Sequence, residues 1–402
     1  MSTSSLHAAL SLACAIAALA CVPSRARAIP AFARIYGVPC SSCHYPSVAR
    51  RSEFGDAFRR AGYHWPIATE DRTSDPVELR GTALLAGVLP RWVPLSIEAT
   101  LSAAYSTDAP SNAPIALGSP GIELLLGAPL GGHVSVFGTW AGSGPPDELF
   151  VHFARLLNRT ELNLRVGLFG QTTTLFKGNE ALLGRFRLGS SALSDHSVGQ
   201  SRLGVEGNGV LSVLGARTYW AAGLVQNSGL GTHWDFYFHL AQKIGGMDFR
   251  GEEPRIDLDA EPSLLDEASL TVATWAYAGQ VRDLGGTPTS KIRRLGLDLK
   301  LRLARFGAWG GVMLGWDRDL MQYRNVLSLT WFVEVSFALT SWLTPIYVYQ
   351  YQDSAVFERE IQQHDLGVVV LLLENVRGRA KVTFTDDGVD NETAEVQLLL
   401  AF

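Results

Sequence analysis

The chain has 402 residues, of which 47% are hydrophobic and only 18% carry a charge, and its formal net charge is −5 at pH 7. A weakly acidic balance argues against nucleic acid as a partner. After residue 28 no apolar run reaches the roughly 20 residues that a membrane-spanning helix needs. The composition therefore excludes a basic nucleic-acid-binding protein and a helical membrane protein.

Residues 1–28 are predicted to be a secretory signal peptide. An apolar stretch precedes Ala26-Arg27-Ala28, a small-residue cleavage pattern that leaves Ile29 as the mature N-terminus. A lipoprotein signal at Cys21 is the alternative interpretation, and the residues before that cysteine fit it poorly. We therefore expect an exported protein.

The motif Cys40-Ser41-Ser42-Cys43-His44 predicts covalent attachment of one c-type haem. Cys40 and Cys43 add to the two vinyl groups of the porphyrin, and His44 supplies the proximal axial nitrogen. The other two cysteines of the chain fall within the predicted signal peptide. The mature protein therefore has thiols only in this motif.

Three other interpretations of the motif fit less well and stay open at this point. A thioredoxin-like redox pair requires a strand end within a βαβ unit, which the surrounding sequence does not resemble. A zinc site requires two further ligands at suitable spacing. A structural disulfide between Cys40 and Cys43 closes a very small loop and stabilises little.

Residues 29–78 form the predicted cytochrome segment, with one short helix. Ser52 is a suitable N-cap, and Gly62 is expected to end the helix. Phe54 and Phe58 share one helical face. We expect these two rings to pack on the haem, and ordinary core packing is the alternative.

The sixth haem ligand is predicted to be His64, the only other histidine of this segment. The predicted metal ligands are therefore His44 and His64. An interfacial position for His64 is the alternative, in which case a methionine ligand has to come from the remainder of the chain, from Met247, Met313 or Met321. A His/His pair gives a lower potential than a His/Met pair.

Residues 79–402 alternate between apolar and polar side chains, as one-sided strands do. In Arg294–Leu303 every odd position is leucine and every even position is glycine or charged. About 16 or 17 such runs occur, separated by short turns such as Asn208-Gly209, and the chain ends in Phe402. We predict an all-β fold, a transmembrane outer-membrane β-barrel of about 16 strands, and not a soluble β-sandwich. Tryptophans near strand ends support this prediction: Trp92, Trp140, Trp220, Trp234, Trp316 and Trp342.

The cytochrome segment is too short to bury much apolar surface by itself. We therefore expect it to dock in or at the barrel lumen, and a small tethered periplasmic domain is the alternative. Its arginines are candidates for pairing with haem propionates. These are Arg34, Arg50, Arg51, Arg59 and Arg60.

Two long connections stand out among the strands. The stretch Gln171–Gln200 is too long for an ordinary turn and is expected to fold into the lumen as a constriction. The stretch Met247–Glu267 is acidic; it is either a solvated loop or a carboxylate site for Fe(II) or Ca²⁺.

The N-terminal sequence resembles the signature of fused outer-membrane cytochrome–porins, of which iron-oxidising monohaem cytochromes are members. The resemblance covers about 35 residues. It rests on Phe32-Ala33-Arg34, Tyr36-Gly37, the Cys40–His44 motif, Pro46, Glu53-Phe54-Gly55, Phe58 and Gly62-Tyr63. It implies a short cytochrome joined to a porin-like barrel in the bacterial outer membrane.

The first hypothesis is an outer-membrane electron-transfer protein with one haem c. It relays electrons between an extracellular donor, with Fe(II) as the narrower form, and a periplasmic carrier such as a soluble cytochrome c. The alternative is a passive diffusion porin with a haem-bearing structural plug or sensor segment. In both hypotheses the barrel is surrounded by outer-membrane lipid, and neither involves nucleic acid. A soluble β-rich haem protein is a third hypothesis.

Overall fold

The computed structural model describes most of the barrel and three pieces of the N-terminal segment. The predicted signal peptide, Cys40, the predicted boundary at residue 78 and Phe402 lie outside the described residues. Those described are 31–36, 43–44, 51–64, 93–106, 115–142, 144–176, 182–183, 198–212, 215–226, 233–251, 268–282, 287–303, 305–319, 324–354, 359–373, 376–386 and 390–401.

The strands form one closed antiparallel sheet. From β3 onward each strand pairs with the next in the chain, and β17 pairs with β1 to close the barrel. Both β2 and β3 pair with β1, at Ala103–Tyr105 and at Leu95–Thr100, so they are two parts of one barrel strand. Sixteen strands therefore surround the barrel, which confirms the predicted number. Their bounds are β1 Leu95–Ser106, β2 Ile115–Leu117, β3 Gly121–Pro129, β4 Val134–Ala141, β5 Glu148–Phe153, β6 Asn163–Gly170, β7 Ser201–Leu211, β8 Thr218–Gln226, β9 Trp234–Gly245, β10 Ser269–Arg282, β11 Pro288–Leu303, β12 Phe306–Asp319, β13 Arg324–Phe337, β14 Leu343–Ser354, β15 Arg359–Leu373, β16 Val376–Asp386 and β17 Asp390–Ala401.

The alternation of β11 shows which face points outward. Leu297 is 50% exposed, whereas Asp298 and Lys300 on the opposite face are buried. Charged side chains thus lie inside and leucines outside, the reverse of a soluble β-sandwich. A closed barrel pairs its backbone groups without an open edge, which lipid requires. The predicted membrane barrel is confirmed.

Aromatic side chains lie at or near the strand ends, as expected for interfacial girdles. Trp234 begins β9, Trp316 is three residues from the end of β12, and Trp342 directly precedes β14. All three are more than a third exposed. Trp92 lies outside the described residues.

Two short helices precede the barrel: α1 (Ala31–Tyr36) and α2 (Glu53–Arg60). The Ser52 hydroxyl accepts a hydrogen bond of 3.1 Å from the Gly55 amide, which confirms the predicted N-cap. Beyond α2 the backbone turns at Gly62 with φ of 70°, a conformation that favours glycine. No helix among the described residues is long and apolar enough to cross a membrane.

The turn predicted at Asn208-Gly209 is wrong, because both residues lie inside β7. The Asn208 amide is held within the lumen wall by Asn163 and Glu206, at 3.1 and 3.0 Å. Gly209 passes so close to Glu161 that a Cβ would lie 2.0 Å from its carbonyl oxygen. Asn-Gly, usually a hairpin signal, serves close strand packing here.

Candidate functional site in the barrel lumen

Helix α1 is fixed against the wall by one ring and one guanidinium. The Phe32 ring packs on Gly127 of β3, where a Cβ would lie 2.5 Å from the ring. The buried Arg34 guanidinium donates to the carbonyl oxygens of Val93, at 3.2 Å, and Leu95. Arg34 therefore anchors the segment to the start of β1, rather than supplying the propionate contact considered for it.

Helix α2 carries a buried carboxylate that binds three wall residues. Glu53 is 4% exposed and pairs with Lys243 of β9. It also accepts from the Ser269 hydroxyl of β10 and lies 3.6 Å from the Arg302 guanidinium of β11. One side chain thus joins the N-terminal segment to three neighbouring strands.

Asp56, one turn further along α2, makes a second connection to the wall. Its carboxylate lies 2.7 Å from the Lys300 ammonium of β11 and 2.9 Å from the Arg51 guanidinium. The Arg302 guanidinium also donates to the Arg51 carbonyl at 2.9 Å. The described part of the N-terminal segment therefore lies in the lumen, which confirms the docked arrangement over a tethered domain.

The charges of the wall lower the pKa of both carboxyl groups. Burial alone would raise the pKa of Glu53, but the positive charges of Lys243 and Arg302 bring it below its usual value. At Asp56 burial likewise raises the pKa, but the positive charges of Lys300 and Arg51 bring it well below its usual value. Both groups are ionised at neutral pH.

An aromatic cluster covers the other face of α2. Phe54 is 1% and Phe58 5% exposed, and both belong to one buried apolar cluster. Cys43 packs against this cluster, and two of the candidate methionines, Met247 and Met313, are part of it. Met321 lies outside the described residues. The two phenylalanines therefore belong to the cluster on which Cys43 packs, and their packing on a haem remains a prediction.

The described half of the haem motif lies against the first turn of α2. The Ser52 amide donates to the Cys43 carbonyl at 2.9 Å, and His44 forms an isolated β-bridge with Arg51. A Cβ on Gly55 would lie only 2.0 Å from the Cys43 carbonyl oxygen. Glycine at position 55 thus permits the close approach between the motif and the helix.

Burial raises the pKa of the Cys43 thiol to about 12, although Arg51 opposes the shift. A redox-active cysteine pair relies on a thiolate with a lowered pKa. The environment of Cys43 therefore disfavours the thioredoxin-like alternative.

His64 is buried just beyond α2. It is 5% exposed, and its Nε2 has no hydrogen-bond partner among the described residues. Burial, then the positive charge of Arg155, lowers its pKa to about 4, so the imidazole is neutral and can act as a ligand. A neutral imidazole with a buried nitrogen that lacks a partner can bind a metal, and ligation of a haem by His64 stays a prediction.

The two predicted axial residues lie at opposite ends of α2. His44 follows Cys43 at the first turn, whereas His64 comes four residues after the last. An eight-residue helix is about 12 Å long. Among the described residues no group of three or more His, Cys, Asp or Glu could hold a metal ion.

The described parts of Gln171–Gln200 fold into the lumen, as predicted, and the constriction itself stays a prediction. The Leu175 amide donates to Asp298 of β11 at 2.8 Å. The Phe176 ring stacks on Trp309 with centroids 4.8 Å apart. Leu183 is fully buried in a cluster with Ile346 and Val348. This loop and α2 both occupy the lumen.

Only the start of the acidic stretch is described. Met247 and Phe249 are 1% and 2% exposed, and the Arg60 guanidinium lies 4.7 Å from the centre of the Phe249 ring. Residues 252–267, which hold most of the carboxylates, lie outside the described residues. The predicted cation site there stays a prediction.

The wall cations that hold α2 were not recognised as functional from the sequence. Lys243, Lys300 and Arg302 stand at alternating positions of β9 and β11, so their inward direction is readable from the pattern. Their partners cannot be predicted from the local sequence, because Glu53 lies 190 positions from Lys243.

Comparison with known proteins finds similarity in structure alone. No protein-family model matches the chain, and no curated protein sequence matches it significantly. An anion-selective porin from Comamonas acidovorans gives a TM-score of 0.57 at 11% identity, covering 77% of this chain and 98% of that one. OmpT of Vibrio cholerae gives 0.53 at 9% identity, with 77% and 97% covered. Salmonella typhi OmpF gives 0.53 at 10% identity, with 77% and 97% covered.

These likenesses establish the fold, which is that of outer-membrane porins. The apolar exterior of the sixteen-strand barrel agrees with it, since leucines and aromatic residues face outward along the strands. The fold and this exterior together place the protein in a bacterial outer membrane.

Proposed function

We propose that the chain is a diffusion porin whose lumen holds the N-terminal segment as a haem-bearing structural plug. The observation that carries the proposal is the pair of α2 carboxylates, the buried Glu53 and the partly buried Asp56, bound to lysines of the wall. The fold supports a channel, because the similar solved structures include an anion-selective porin and the outer-membrane channel DcaP of Acinetobacter baumannii. The plug limits which solutes pass.

Conductance of the full-length protein in planar bilayers tests this proposal through its pH dependence. The pKa of Glu53 is lower in the docked plug than its usual 4.5. Its stabilising contribution is therefore complete above about pH 4.5 and is lost as the pH falls through the lowered pKa. We expect small conductance at pH 7 and a reversible increase only on acidification below pH 4.5.

A large conductance at pH 7 that acidification leaves unchanged would contradict a docked plug. A chain that never conducts, even when the plug is released, would contradict the porin itself. The two outcomes are separable, because release of the plug can be followed by protease cleavage independently of current.

A second proposal is electron transfer, favoured by the Cys40–His44 motif and the orphaned His64 nitrogen. Cys40 and Cys43 would hold one haem c covalently, with His44 as proximal and His64 as distal ligand. When bound, the haem supplies one-electron chemistry, and the protein tunes it through ligands and burial. The protein itself excludes bulk water through the aromatic cluster around Phe54 and Phe58.

In this role the chain relays electrons between an extracellular donor and a periplasmic carrier such as a soluble cytochrome c. Fe(II) is the donor that the family resemblance suggests. A covalent haem that dithionite reduces and Fe(II) leaves oxidised would remove Fe(II) as the donor and keep the plug proposal intact.

A further inference from the structure

A small cavity, partly open to solvent, lies between α2 and the lumen wall. Four arginines line it, contributed by the N-terminal segment and by β6. With them stands Gln171, the first residue of the long lumen loop. These lining residues are Arg51, Arg59, Arg60, Arg165 and Gln171.

The arginines outnumber the carboxylates of the cavity wall. Two carboxylates line it, Asp56 and Glu206, and each is already ion-paired: Asp56 with Arg51 at 2.9 Å and Glu206 with Arg165 at 2.8 Å. Arg60 forms no ion pair among the described residues and therefore adds positive charge to this lining.

Arg59 and Arg60 sit in confined surroundings. Burial lowers the pKa of Arg59, and the nearby charges of Arg51 and Arg165 lower it further, against opposing effects of Tyr63 and Glu148. The Arg60 guanidinium lies 5.2 Å from the centre of the Tyr219 ring, which leaves its planar edge for polar partners. An anion in the cavity would relieve this crowding of like charges.

Gln171 gives an independent indication of a ligand. Its side chain is 94% buried, at 6% exposure, and neither Oε1 nor Nε2 has a hydrogen-bond partner among the described residues. A buried amide without partners costs about 1–3 kcal/mol. Such an amide facing a cationic cavity is expected to bind a polar ligand.

We propose that this cavity is a binding site for an oxygen anion, a carboxylate or a phosphate, with Arg59, Arg60 and Gln171 as donors. Guanidinium forks match the two oxygens of such groups. Two sources supply this chemistry: a solute that enters the lumen, or a propionate of the chain's own haem. The site rests on the docked plug, since α2 forms one of its walls.

Isothermal titration calorimetry of full-length protein with inorganic phosphate tests the site. The titration is made on the wild type and on a haem-free Cys40→Ala/Cys43→Ala variant. We expect saturable binding to the haem-free protein, weakened about tenfold or more by Arg59→Gln and by Gln171→Leu, the loss expected for one charge-assisted hydrogen bond. Arg379→Gln removes a lumen arginine elsewhere, at its 3.3 Å pair with Glu395, and is the control that leaves binding unchanged.

The two protein forms distinguish the sources of the anion. Binding to both forms identifies a solute site, and binding to the haem-free form alone identifies a propionate site. Absence of phosphate binding to the haem-free form, or equal affinity in Arg59→Gln, Gln171→Leu and wild type, overturns the proposal. Protease resistance of the plug, measured on the same samples, shows separately whether α2 is docked.

Discussion

Replacing Cys43 by alanine is expected to abolish stable covalent haem attachment while the barrel still assembles. A c-type haem requires both thiols of the motif, Cys40 and Cys43, for its two thioether bonds. The barrel does not depend on them, because its strands pair only with one another. Haem staining of denaturing gels, normalised to protein by immunoblot, measures the loss. Reduction of the haem α-band by Fe(II) in anaerobic outer membranes is expected to disappear with it.

The chain supplies a matched control for this substitution. Cys21→Ala removes a cysteine within the predicted signal peptide and is expected to leave haem content unchanged. Equal haem staining in Cys43→Ala and wild type, or no covalent haem in the wild type, would contradict the assignment of the motif.

Glu53→Gln is expected to release the plug from the wall at neutral pH. The substitution removes the charge that compensates Lys243 and Arg302, and the side chains of Glu53 and Lys243 are only 3% and 5% exposed. Removing one partner of a buried ion pair costs about 3–5 kcal/mol. The docked state should therefore lose a factor of at least about a hundred in its equilibrium population.

Limited trypsin digestion of the folded protein measures this release, because Arg59 and Arg60 become cleavage sites when α2 leaves the wall. We expect cleavage in Glu53→Gln to be much faster than in wild type, with larger conductance at pH 7. Glu161→Gln changes an exposed carboxylate that accepts from Ser212 and serves as the control. Equal cleavage rates in Glu53→Gln and wild type would be inconsistent with an ion-pair anchor.

The architecture of the barrel was predictable because its signal is local and repeated. Leucine at each odd position of Arg294–Leu303 already assigns one face to lipid and the other to the lumen. The same regularity gives a strand number of about 16 without knowledge of any contact. Helix α2 was predictable for a similar reason, since Ser52 and Gly62 mark its two ends.

The interior of the lumen was less predictable, because its contacts join distant parts of the chain. The pairing of Asp56 with Lys300 spans 244 positions. Neither residue differs in its local pattern from other charged residues nearby. The short length of the N-terminal segment suggested that it docks, yet it did not indicate which side chains hold it.

Two local signals were misleading or silent. Asn208-Gly209 has the composition of a hairpin turn, but both residues lie inside a strand. Glycine fits there because the Glu161 carbonyl is too close to leave room for a Cβ. Gln171 carries no motif at all. Its significance comes from burial without a partner, a property that only the folded lumen provides.

Zero-length carbodiimide cross-linking of the native protein, followed by peptide mass spectrometry, tests the docked plug most directly. The reagent joins a carboxylate to an amine in contact with it, as Asp56 and Lys300 are at 2.7 Å. The Lys381–Glu395 pair, at 3.1 Å between wall strands, is the internal control. We predict cross-linked peptides for both pairs. A cross-link between Lys381 and Glu395 without one between Asp56 and Lys300 would contradict a plug held in the lumen.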